Sequence, residues 1–132
     1  MKRSRQNFDQ KKLKILRLED LKIGILESSD LEILESNEIM HIGVCTLHLR
    51  LAGSHSLKEK RRVVKSIKDR VKNKFNVSIA EVDALDNWQW AVIGVACVSN
   101  DSGFTNSVLS NVVNFIDDMH LAEIVDYGIE IQ

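Results

Sequence analysis

Between Lys58 and Lys74 the chain places nine bases and only two acids, Glu59 and Asp69. Lys and Arg at this density do one kind of chemistry well: they displace the counterions of a phosphate backbone, with an affinity that falls steeply as salt rises. The residues expected to hold phosphates are Lys58, Lys60, Arg61, Arg62, Lys65, Lys68 and Lys72. The turn before them, Gly53, Ser54, His55 and Ser56, is a candidate phosphate site. Amides at a helix N-terminus attract anions, and bases in the first turns oppose the macrodipole unless an anion sits there. The competing reading is a solvated helix face whose bases pair with acids elsewhere in the chain.

Other chemistries have weaker support. Asp83, Asp86 and Trp88 cluster at the end of a hairpin; a pair of carboxylates can do acid–base work or hold Mg²⁺, but Asp at such positions commonly just forms the turn. His41, His48, His55 and His120 have neither HxxxH nor HExxH spacing, so no metal site is expected. There is no nucleophile elbow and no Gly-rich loop of the Walker or dinucleotide type. The expectation is a non-enzymatic protein without a cofactor. Cys45 and Cys97 lie far apart in apolar runs and read as reduced core thiols. No apolar run approaches the ~20 residues of a membrane helix, and no uninterrupted apolar signal core follows the basic start. A cytoplasmic location without a membrane partner is expected.

The elements that position these residues follow from hydrophobic period. Residues 41–51 alternate as a strand, with Gly43, Cys45, Leu47, Leu49 and Leu51 on the better core face. Ser56 with Glu59 is a capping box in which the hydroxyl accepts from the Glu59 amide and the carboxylate reaches back to the Ser56 amide. It opens a helix over 57–75 with Val64, Ile67, Val71 and Phe75 on one stripe, Val63 beside them, and Arg61, Lys65, Lys68 and Lys72 opposite. Val77–Asp83 and Trp88–Asn100 read as two strands joined by a hairpin, the latter apolar on both faces like a central strand. Phe104, Val108, Val112, Phe115 or Ile116, and Met119 form the stripe of a second helix over 102–119, and Val125, Tyr127, Ile129 and Ile131 alternate as a last strand. The order βαββαβ, with short right-handed crossovers, predicts an α+β ferredoxin-like sandwich: a four-stranded antiparallel sheet with both helices on one face.

The sheet face without helices then shows Val44, Thr46, His48, Trp90 and Val92, which is too apolar to leave wet. It lacks the aromatic pattern with which RNA-recognition sheets stack bases, so a homodimer or partner contact is the expected use. Residues 1–39 differ in kind, seven bases and one acid over 1–17 preceding seven acids and one base over 18–39. Neither helical nor strand period is sustained there. That segment reads as a disordered or docking extension, or as sequence upstream of a natural start at Met40. The domain proper is 40–132.

From Met40 onward the chain resembles the YlxP-like family, a bacterial family of unknown function. The resemblance is carried by Gly43, the run from Ser56 to Arg61, Phe75 to Val77, Ala80 to Asp83 with Asp86, Trp88 and Gln89, Gly94 and Val95, and Val98 to Asp101. It implies the same small ferredoxin-like fold and no enzymatic activity. Genes of that family often lie beside those for ribosome maturation and translation initiation factors, so the resemblance also implies a link to translation. The family pattern usually has a proline in the turn after the first strand, where this chain has Ala52 and Gly53. Together, residues and resemblance lead to one expectation: binding of structured RNA or a ribosomal particle through the first helix, by shape rather than base sequence. The alternative is a homodimeric protein-interaction module acting through the open sheet face without direct RNA binding.

Overall fold

The computed structural model of the protein describes residues 39–132, and the extension read from residues 1–39 falls outside them but for its last residue. The chain runs β1 (His41–Arg50), α1 (Leu57–Lys74), β2 (Ser78–Asp83), β3 (Trp90–Ser99), α2 (Ser102–Met119) and β4 (Glu123–Ile131). The strands form one antiparallel sheet in the order β2-β3-β1-β4. Two βαβ crossovers interleaved in this way give the ferredoxin-like α+β fold expected from the sequence.

The core lies between helices and sheet. Cys45, Leu47, Leu49 and Leu51 from β1 and its end meet Ala91, Ile93, Val95 and Cys97 of β3, beneath Val64, Ile67 and Val71 of α1 and Leu109, Val112, Val113 and Ile116 of α2. Gly43 sets how closely α2 approaches: a Cβ there would fall on Thr105, Leu109 and Ile131. At the far end of the helices Phe75 packs edge-on against Phe115, centroids 5.5 Å apart, with the Lys74 ammonium 4.6 Å from the Phe115 centroid.

Several local expectations shift. The buried face of α2 is Thr105, Leu109, Val112, Val113 and Ile116, about one residue round from the predicted stripe, and Phe104 is 59% exposed. Asp101 explains the phase: its carboxylate caps the helix by accepting from the Phe104 amide. Thr105 enters the core because its hydroxyl meets Ser99 Oγ at 2.5 Å and Asp101 O at 3.2 Å. Strand β3 begins at Trp90 rather than Trp88, since Asn87 Oδ1 accepts from the Gln89 and Trp90 amides and holds that stretch as a turn. Where β4 pairs with β1 the register slips between His48 and Leu49, so that Ile124 rather than Val125 stands opposite Leu49; Val125 is half exposed while Ile124, Ile129 and Ile131 pack on the core.

Candidate nucleic-acid interface on the first helix

Ser56 starts α1 as expected, its Oγ accepting from the Glu59 amide at 3.1 Å. The return bond differs: Glu59 Oε2 accepts from the His55 amide at 2.7 Å, one residue earlier than a capping box places it. In the candidate phosphate site at Gly53, Ser54, His55 and Ser56, the Glu59 carboxylate therefore competes for the turn's amides. Ser54 is buried, its amide bonded to Leu51 O and its hydroxyl to Ser56 O, while Glu59 already supplies the anion that the turn attracts. A phosphate entering there meets a carboxylate. Beside the turn, Glu59, Arg62 and Val63 border a cleft of about 730 Å³ shared with Asp117 and His120 at the end of α2.

The remaining bases divide by helical phase. Lys58, Arg61, Lys65, Lys68 and Lys72 follow one another at spacings of three and four, so they form a single column. Because Glu59, Arg62 and Val63 line the cleft toward α2, the column lies on the opposite flank, where α1 packs over the edge strand β2. Among the described residues the column makes one ion pair, Lys65 Nζ to Asp69 Oδ2 at 2.6 Å. That hydrogen bond, helped by Lys72 and Lys68 nearby, holds the Asp69 carboxyl below its ordinary range.

Lys60 does not belong to this surface. It is fully buried, and its Nζ donates to Ala84 O (2.7 Å), Trp90 O (3.1 Å) and Leu85 O (3.3 Å). Glu81 Oε2 lies 2.8 Å away as a counter-ion. Ala84, one of the three acceptors, has left-handed backbone at φ 57° in the turn. The expected phosphate contact is therefore an internal tie between the first turn of α1 and the β2–β3 hairpin. The signal was present: Lys60 is in phase with Val64, Ile67 and Val71, on the buried stripe.

Asp83 Oδ1 accepts from the adjacent Ala84 amide at 2.7 Å, a turn-forming role. Among the described residues no three of His, Cys, Asp and Glu come together as a metal site would need. Val44, Thr46, His48, Trp90 and Val92 do share the uncovered sheet face: Val44, Thr46 and His48 alternate with the core residues of β1, and His48 pairs with Val92 and Arg50 with Trp90. Val82 lies over Gly94 on the same face, leaving room for no Cβ there without a shift. Cys45 and Cys97 are buried and unbridged, and burial pushes the Cys45 thiol up to about 11. No helix among the described residues is long and apolar enough to cross a membrane.

Fold and surface together define a small ferredoxin-like domain with one strongly basic helix flank. The chain belongs to the family described as "Protein of unknown function (DUF503)", whose profile matches residues 42–129. It is 45% identical over 76 residues to "Uncharacterized protein YlxP" of Bacillus subtilis (strain 168), a match covering 58% of this chain and 83% of that protein. Among solved structures, the de novo designed protein Foldit4 is 14% identical, with a TM-score of 0.41, over 70% of this chain and 93% of the design. A C-terminal segment of the alpha subunit of aIF2 from Pyrococcus abyssi is 11% identical, with a TM-score of 0.41, over 85% of this chain and 64% of that one.

Proposed function

We propose that the protein is a non-enzymatic, cytoplasmic RNA-binding protein associated with translation or the ribosome, which engages structured RNA through α1. The observation that supports this most is the column Lys58, Arg61, Lys65, Lys68 and Lys72: five cations on one flank, all exposed but the half-buried Lys68, of which only Lys65 has an acid partner among the described residues. A column of cations along one straight edge suits a ribose-phosphate backbone and carries no base-reading pattern, so RNA is selected by shape. Arg62, exposed on the cleft side of the same helix, adds charge beside it.

The test is binding of the full chain to ribosomal subunits and to their naked RNA over a salt series, beside the triple variant K65E/K68E/K72E. With about five phosphates neutralised, the logarithm of affinity should fall with a slope of about −4 against the logarithm of salt. The variant should lose most binding at every salt. Equal binding by variant and wild type would dismiss α1 as the contact.

A second reading has its own observation. The sheet face opposite the helices leaves Val82, Trp90 and Val98 exposed, Val98 at 61%. We propose that a second copy of the chain covers it, which leaves both basic columns outward and free.

A further inference from the structure

The chain's two tryptophans, Trp88 and Trp90, both sit where the β2–β3 hairpin ends. Trp90 pairs in register with Arg50 on the uncovered sheet face. Trp88 lies in the turn itself, 50% exposed, with Leu85 equally open nearby. Its backbone is well held: Asn87 Oδ1 accepts from the next two amides, Gln89 O accepts from Leu51 N at 2.8 Å, and Lys60 Nζ binds the carbonyls of Ala84, Leu85 and Trp90. Through Lys60 this turn is fixed to the first turn of α1, where the basic column begins with Lys58 and Arg61.

An exposed indole on a fixed backbone, tied through Lys60 to the helix that carries the cations, is suited to stacking of an unpaired base. The column from Lys58 to Lys72 runs about 21 Å along the helix, long enough to meet several successive phosphates of one strand. We infer that Trp88 is a stacking platform for an unpaired nucleotide at the end of an RNA stem whose phosphates follow this column. The inference rests on the RNA-binding reading of α1 and gives that reading a substrate feature: a junction of paired and unpaired RNA rather than a blunt stem.

The experiment compares a blunt hairpin RNA with the same hairpin carrying a short unpaired purine overhang, each titrated into the full chain. In the W90F variant Trp88 is the sole tryptophan, so its fluorescence reports on this turn alone. The overhang should tighten binding about tenfold or more and quench Trp88, and the blunt hairpin should do neither. W88A should bind the two RNAs with similar affinity, whereas W88F, which keeps an aromatic ring, should retain most of the preference. If wild type binds both RNAs equally and tightly, or W88A keeps the full preference, the stacking role is wrong while the α1 reading stands. If neither RNA binds at low salt, or K65E/K68E/K72E binds both as well as wild type, the α1 reading fails and the stacking role falls with it.

Discussion

The ammonium of Lys60 and the carboxylate of Glu81 form a buried contact whose value lies in what its loss would expose. Replacing Lys60 by Met would take a donor from three carbonyls, of which Ala84 O keeps the Asn87 amide, and would leave the largely buried Glu81 without its counter-ion. We expect Lys60→Met to cost about 3–5 kcal/mol in urea unfolding, and the K60M/E81L pair to cost clearly less than the sum of its parts. A loss below about 1 kcal/mol would mean that the hairpin is held by other contacts. A second residue links stability to pH. Burial raises the Cys45 thiol from its ordinary value near 9 to about 11, so the folded protein keeps a proton that the unfolded chain releases. Stability from that proton is complete below about pH 9 and is lost as pH climbs toward 11, with Cys97 shifted the same way by its own burial. Under reducing conditions the urea midpoint should fall over this window, and less steeply in Cys45→Ala, which starts from a lower value; parallel declines would remove Cys45 as a cause.

Packing of whole elements depends on Gly43, where α2 crosses β1. Gly43→Ala drives a methyl group into Thr105, Leu109 and Ile131, and should cost about 1–3 kcal/mol. Gly53→Ala, with nothing within 4 Å of the added carbon, should change stability by less than about 0.5 kcal/mol. Equal effects would mean that α2 can shift to admit the methyl. The elements themselves were legible in the sequence because period separates strand from helix, and the core side of β1 and the stripe of α1 follow from it directly. The phase of α2 was not, because two apolar stripes overlap there, and the choice depends on the Asp101 cap and on Thr105 finding partners for its hydroxyl. Charge misled at Lys60 for a related reason. Composition puts lysine outside, and only the carbonyls of a turn some 25 residues later make an inward lysine tolerable. The cradle at Gly53–Ser56 likewise depended on which amide Glu59 reaches, and spacing does not decide that.

For the molecule as a whole, charge is sharply segregated. Outside Lys58–Lys74 the domain from Met40 to Gln132 has a single base, Arg50, and nine acids. The basic flank therefore stands out from an otherwise acidic particle, which favours one orientation on a polyanion. The uncovered sheet face adds a separate expectation. Sedimentation from about 1 to 100 µM should show a dimer that Val98→Lys turns into a monomer without loss of helix content; a monomeric wild type throughout would leave that face to another partner. The sheet order has a further consequence, for the timing of synthesis. Strand β1 is made first yet lies in the middle, and its two neighbours, β3 and β4, emerge roughly 50 and 80 residues later. Until β4 has left the exit tunnel, β1 has one unpaired edge and the core around Gly43 lacks Ile131. A nascent chain stalled before Glu123 should thus be sensitive to protease and prone to aggregate, and one stalled well beyond Gln132 should be protected.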